Sequence, residues 1–200
     1  MLDTRPLLKF ILLFFLIYGI LITAYPLLHY QTGAYVNSLG NKFLNSPVKN
    51  SVVTFVKANE KSNIEIRVGN MTQLVNSKLQ IFREGLDSYK FAYVPGALLL
   101  ALIFASPVSL KRKTLALLLA VFLFNGLLLL RMYIKILHIS SQYDSLQLIT
   151  PAPFAQKLID LLNAFLVDYT HITLIIVAFI WFTVTFRKED LSLILSKTEN

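Results

Sequence analysis

The sequence predicts an all-α membrane bundle of about four transmembrane helices, with an outer segment that contains a possible β-hairpin and amphipathic helices. Of the 200 residues, 56% are hydrophobic, which exceeds the roughly 45–50% of soluble domains. The mean hydropathy is +0.62. Four apolar stretches approach or exceed the ~20 residues that a helix needs to cross a bilayer. These observations indicate an integral membrane protein.

The four predicted spans divide the chain into three parts. Residues 1–28 hold the first transmembrane helix, residues 29–90 form the outer, extracytoplasmic segment, and residues 91–200 hold the other three spans, a short basic loop and a C-terminal tail. The first span begins like a signal peptide. It is long for one, and no small-residue cleavage site follows it directly, so a retained anchor is expected.

The later spans are expected at about residues 91–105, 114–137 and 166–186. The second is short because Ser106 and Pro107 end it, so it either begins a turn earlier, in residues 86–90, or lies tilted. Basic residues in short loops face the cytoplasm. The cluster Lys111, Arg112 and Lys113 therefore places both chain termini in the cytoplasm, in a plasma or inner membrane. The terminal basic residues agree with this orientation: Arg5, Lys9, Arg187 and Lys188.

The outer segment also carries many basic residues, but long loops cross a membrane largely regardless of charge. Within it, residues 35–44 are expected to form a short amphipathic helix. Residues 52–56 and 64–68 read as two strands joined by the polar residues 59–63, since apolar and polar residues alternate in the second. The spacing of Leu74, Leu79, Ile81 and Phe82 predicts a helix over residues 71–86.

A second outer segment, residues 138–167, contains Pro151 and Pro153. These prolines are expected to start a helix that lies on the membrane surface before the fourth span. Its apolar face would consist of Phe154, Leu158, Leu161, Leu162 and Phe165.

The net charge of +8 would indicate nucleic acid in a soluble protein. Here the basic residues flank apolar spans, so the lipid bilayer and its anionic lipids are the expected partners, and no nucleic acid is. The chain has no cysteine, which excludes disulfides, thiolate metal sites and cysteine nucleophiles. His29, His138 and His171 fall at outer ends of spans, but their spacing matches no ligand motif. We therefore expect no metal and no cofactor.

Arg131 lies inside the third apolar stretch, about six residues from its outer end, or roughly 9 Å along a helix. A charge near the bilayer centre costs at least roughly 2.5–3.5 kcal/mol, so such a residue is either functional or close enough to reach water. Lys135 and His138 share its helical face. His171 and Asp168 lie one turn apart near the fourth span, and Asn125 is placed to bond to another helix.

These positions predict an outer-face binding site of Arg131, Lys135, Asp168 and His171. Charged residues and histidines at span ends also serve as plain interfacial anchors. Both interpretations remain open on the sequence.

The layout resembles the exosortase/archaeosortase family of membrane transpeptidases, in particular its short members. Residues 96–107, followed by the basic turn 111–113, look like the family's cysteine-bearing span. Asn125 with Arg131 resembles its Asn-then-Arg span, and His171 resembles its histidine. The resemblance covers residues 88–186 and implies cleavage of a C-terminal sorting signal followed by transfer to an acceptor.

The family's cysteine would fall within residues 90–94, where this chain has none. Ser88 or Tyr93 could replace it only with help, because a serine needs a base and a tyrosine is a weak nucleophile at neutral pH. The expected function is thus a non-catalytic subunit or binding protein that contacts a peptide, a lipid headgroup or another membrane subunit. The alternatives are a transpeptidase using Ser88 or Tyr93 with His171 and Arg131, and a purely structural small subunit.

Overall fold

The computed structural model describes residues 5–58, 64–75, 78–143, 146 and 148–186. The linker at residues 59–63 and the basic residues Arg187 and Lys188, used above, lie outside them. The described chain is mostly helical, with one three-stranded antiparallel sheet. Its helices are α1 (Arg5–Thr23), α2 (Tyr25–Phe43), α3 (Val94–Ala105), α4 (Leu110–Gln142), α5 (Pro153–Leu162) and α6 (Thr170–Thr185).

Two π-helical turns precede α3 and α6. The first π-turn spans Tyr89–Tyr93 and leads directly into α3. The second π-turn spans Asn163–Asp168, follows α5, and is separated from α6 by the extended residue Tyr169. Such turns leave irregular backbone hydrogen bonding, and they recur at functional sites.

The first apolar stretch is a bent pair of helices, whereas one helix over residues 6–28 was expected. Helix α1 ends at Thr23, and α2 leaves it at an angle of 75°. Pro26 lies in the first turn of α2. It has no N–H to donate to the carbonyl four residues earlier, and its ring crowds that carbonyl, so the helix breaks just before it.

One described helix, α4, is long and apolar enough by itself to cross a membrane. The bent pair α1–α2, and the pair formed by residues Pro153–Asp168 and α6, pass the same test only if each pair is taken as one span, which gives up to three. The segment Tyr89–Ala105 is apolar but shorter. The expected four transmembrane helices are therefore not confirmed.

The sheet consists of β1 (Ser51–Lys57), β2 (Ile64–Val75) and β3 (Lys78–Leu86), in the order β1-β2-β3. Val53 pairs with Val68 and Phe55 with Ile66. Side chains at alternate positions of β1 are buried, as expected for a strand with one covered face. The two strands expected from the sequence are confirmed.

The helix expected over residues 71–86 is wrong, because this region forms the end of β2 and all of β3. Strands β2 and β3 pair antiparallel, and their register shifts once, between Gly69 and Leu74. Four apolar residues in a short run do not distinguish a helix from a strand. The pairing with β2, which no local spacing reveals, decides the structure.

The sheet packs on the second half of α4. Phe55, Ile64 and Ile66 are buried in one cluster with Met132 and Ile136 of α4. A second cluster lies nearer the start of α4 and joins it to α3 and α6. Its members are Leu99, Ile103, Ala116, Ala120, Leu127, Val177 and Ile180. Helix α4 therefore connects the sheet to the apolar helices.

Helix α5 begins at Pro153, as the sequence predicts, and buries none of its residues. Its polar side contacts α4, since Gln142 donates to Asp160 over 3.2 Å. The apolar face of α5 and of the second π-turn points away from the protein, with large side chains exposed: Phe154, Leu158, Leu161, Leu162 and Phe165.

Candidate functional site

Arg131 is the largest fully buried side chain among the described residues and is only 1% exposed. Its guanidinium donates to three backbone carbonyls: to Leu166 over 2.6 Å, to Val167 over 3.3 Å, and to Phe91. The guanidinium carbon also lies 4.2 Å from the centre of the Phe91 ring. Arg131 thus joins α4 to both π-turns.

The carbonyl of Phe91 lacks its ordinary donor because of the sequence. In an α-helix it would accept from the residue four positions later, which is Pro95, and proline has no N–H. One N–H of Arg131 takes that place. The stacked Phe91 ring adds a cation–π contact on the same residue.

The carbonyls of Leu166 and Val167 lie at the end of the second π-turn, just before the chain bends by 74°. The last carbonyls of a helix have no partner within it. Arg131 supplies donors to both. A buried charge with these hydrogen bonds is therefore explained by the fold, without a ligand.

Lys135 lies one turn beyond Arg131 on α4 and is also buried, at 6% exposure. Its ammonium is 2.6 Å from the carboxylate of Glu84 on β3 and 3.9 Å from that of Asp168. Asp168 in turn accepts from Asn163 over 2.9 Å. These contacts connect the sheet, α4 and the second π-turn.

His171 lies exposed in the first turn of α6. It makes no hydrogen bond or ion pair with any of the residues that the structure describes. Of the expected four-residue site, Arg131, Lys135 and Asp168 converge on the second π-turn, while His171 faces outward beside it. Although Asp168 and His171 lie one turn apart in the sequence, Asp168 contacts Asn163 and Lys135 and not His171.

The other two histidines, His29 and His138, contact other parts of the protein and not the predicted site. His138 is 3.6 Å from Asp160 on α5, and His29 bonds to the carbonyl of Pro26 over 2.8 Å. Within the described ranges, no group of three His, Asp or Glu side chains could hold a metal.

The two candidate nucleophiles are both engaged by other groups. Ser88 is fully buried, and its hydroxyl lies 3.4 Å from that of Tyr25. The Tyr93 hydroxyl donates to the carbonyl of Leu21 in α1. No described contact joins either residue to His171, so the arrangement lacks a nucleophile paired with a base.

Two participants were missed by reasoning from the sequence. Glu84 was assigned to a helix, although it is the closest partner of Lys135. Pro95 was not considered. Because it follows Phe91 by four residues and has no N–H, the sequence alone indicates that the Phe91 carbonyl lacks its helical donor. The expected bond of Asn125 to another helix is confirmed, since its side-chain oxygen accepts a hydrogen bond from the Tyr35 hydroxyl of α2.

Comparison with protein-family models, with curated proteins and with solved structures finds no match to this chain. The exosortase-like resemblance stays a prediction that rests on the residues quoted above.

Proposed function

We propose that this chain is an integral membrane protein with an exosortase-like scaffold that acts as a non-catalytic subunit or binding protein. The observation that supports this most is the state of Arg131. The three carbonyls it contacts belong to the protein's own backbone. In the transpeptidase family that the sequence resembles, such an arginine would take part in the reaction. Here its N–H groups instead bond to the backbone where three helical segments meet.

The length of α4 supports a position at the membrane boundary. The helix has 33 residues, or about 50 Å, against a hydrocarbon core of about 30 Å. Arg131 follows Leu110 by 21 positions, which is about 32 Å. If the basic turn lies at the cytoplasmic surface, Arg131 lies near the opposite surface, and the sheet lies beyond it on the outer side.

The proposed contact with a partner subunit is made by Asp168 and His171. The Asp168 side chain is 55% exposed, and His171 is exposed three residues later, across the bend. Arg131 and Lys135 are buried and act as positioning residues, because they fix the second π-turn that carries Asp168. The proposed binding surface therefore consists of Asp168 and His171 and not of all four predicted residues.

The experiment compares complex size in native membranes by native electrophoresis of the tagged, full-length protein. His171→Ala and Asp168→Asn are expected to release the chain from its complex, while its melting temperature stays within a few degrees of wild type. Lys157→Ala, an exposed change on α5, is the matched control and should leave the complex intact.

Unchanged complexes in both variants would contradict the binding role. That result would favour the second candidate, a purely structural subunit, which is supported by the internal pairing of Arg131 and Lys135. A covalent acyl adduct on Ser88 or Tyr93, seen by intact-mass spectrometry with a trapped substrate, would overturn the non-catalytic proposal.

A further inference from the structure

A hollow of about 310 Å³ lies at the end of the protein that carries the basic turn. It is bounded by the start of α1, the end of α3 and the start of α4. Its walls include Lys9, Phe10 and Leu13 on one side, and Ser106 and Lys113 on the other. It lies at the opposite end of α4 from Arg131 and is independent of the function proposed for Asp168 and His171.

The hollow is positively charged, and the described residues that line it include no carboxylate. Lys9 makes no hydrogen bond or ion pair with the described part of the chain. Lys113 donates one hydrogen bond, over 2.6 Å, to the carbonyl of Phe104. An ammonium group has three donors, so Lys113 keeps two for another acceptor. Two ammonium groups without a carboxylate favour an anion.

The wall behind the hollow is held in place by α6. The indole N–H of Trp181 donates to the Ser106 hydroxyl over 2.8 Å, and the Trp181 ring stacks on Phe10 at 6.0 Å between ring centres. Ser106 also donates to the carbonyl of Leu102 over 2.6 Å. These contacts tie α1, α3 and α6 together around the hollow.

A second, shallow apolar hollow lies on the exposed surface of α1, is lined by residues of that helix alone, and shares Lys9 and Leu13 with the first. Its other lining residues are leucines that follow one another at intervals of one helical turn: Leu8, Leu12 and Leu16. A basic pocket therefore continues into an apolar groove. This combination matches an anionic headgroup followed by a hydrocarbon chain.

We propose that the two hollows together bind one anionic phospholipid. Its phosphate lies between Lys9 and Lys113, and an acyl chain follows the leucines of α1. Basic pockets between membrane helices bind the phosphates of anionic lipids in this way. A free phosphate would occupy the first hollow alone and would gain nothing from the groove.

The test uses native mass spectrometry of the full-length protein in detergent, with phosphatidylglycerol or zwitterionic phosphatidylcholine as the probe. One phosphatidylglycerol per chain is expected to remain bound, in preference to phosphatidylcholine. Lys9→Gln combined with Lys113→Gln should weaken that binding about 30-fold, and Lys9→Gln alone about fivefold. The single variant removes no hydrogen bond or ion pair of the described part of the chain, so its fold is expected to stay intact.

Lys111→Gln is the matched control, because it removes the same charge from the same turn outside the hollow. An equal loss in that control would overturn the proposal, since general attraction to the basic turn would then explain the binding. Displacement by inorganic phosphate as effective as that by phosphatidylglycerol would also overturn it, because the site would then recognise the anion without the chain.

Discussion

At the residue scale, Arg131 is held in an apolar interior by the chain's own backbone. A buried cation is costly unless its donors are hydrogen-bonded. Here Arg131 donates to carbonyls at two breaks in helical hydrogen bonding, one created by Pro95 and one at the bend after the second π-turn. The charge and the irregular backbone therefore depend on each other.

Arg131→Met is expected to lower the free energy of unfolding by about 2–3 kcal/mol, since each carbonyl that loses its donor costs roughly 1 kcal/mol or more. The carbonyls of Phe91 and Val167 lose the Arg131 donor, whereas that of Leu166 keeps a hydrogen bond from the Thr173 hydroxyl over 3.4 Å. Thermal or denaturant unfolding in detergent measures this. Arg83→Met, an exposed change on β3, is the control and should cost less than about 0.5 kcal/mol.

Pro95→Ala offers a rescue test of the same explanation. It restores an N–H four residues after Phe91, so Arg131→Met should cost about 1 kcal/mol less in that background. Full additivity of the two changes in unfolding measurements would show that Pro95 does not create the unpaired carbonyl.

Lys135 and Glu84 form the ion pair that joins α4 to β3. The Lys135 side chain is 8% exposed and that of Glu84 is 32% exposed, so the pair is screened less than a surface pair. A double-mutant cycle with Lys135→Met and Glu84→Gln is expected to give a coupling energy of about 1–2 kcal/mol. The more exposed pair Arg67–Glu65 should give about 0.5 kcal/mol or less. Equal coupling in the two pairs would contradict the structural role of Lys135.

At the element scale, prolines decide where helices begin and end. Pro26 separates α2 from α1, Pro95 and Pro153 lie in the first turns of α3 and α5, and Pro107 follows the end of α3. Proline lacks an N–H, so it is tolerated in the first turn of a helix, and Pro26 and Pro107 also stand where a preceding helix ends. These boundaries were readable from the chain, although the bend after Thr23 was not inferred.

Helix α2 approaches the sheet at Gly40. A Cβ at that position would lie 2.5 Å from the Phe55 ring, whose side chain is buried. Gly40→Ala is expected to destabilise the protein by about 1–3 kcal/mol, because the core has to shift. Gly19→Ala in α1 is the control, since no atom lies within 4 Å of its Cβ. The control should be neutral or stabilising by up to about 1 kcal/mol. Unfolding midpoints that fall equally in both variants would contradict the close-packing explanation.

At the scale of the whole molecule, α4 connects two cores. Its first half packs with α3 and α6, and its second half carries the sheet. Phe124 packs against both clusters. One helix therefore contributes to both cores and joins the sheet to the apolar helices.

The absence of cysteine makes the proposed orientation directly testable. Thr54→Cys, on the exposed side of β1, is expected to react with a membrane-impermeant maleimide in intact cells. Lys111→Cys, in the basic turn, should react only after the membrane is opened, because the turn faces the cytoplasm. Labelling of Lys111→Cys alone in intact cells would reverse the orientation, and the cysteine-free protein serves as the blank.

The sequence by itself determined the apolar character of the chain, the strands predicted at residues 52–56 and 64–68, the start of α5 at Pro153 and the bond of Asn125 to another helix. These depend on composition, two-residue alternation, the missing N–H of proline and the reach of a polar side chain. All are local properties.

Only the tertiary structure decided the state of the predicted site. The partners of Arg131 come from positions 91, 166 and 167, and that of Lys135 from position 84. Such long-range pairings depend on how helices bend and which strands pair, which no local pattern fixes. For that reason the predicted open binding site is divided in the structure. Arg131 and Lys135 are buried and join helices and sheet, whereas Asp168 and His171 are exposed beside them.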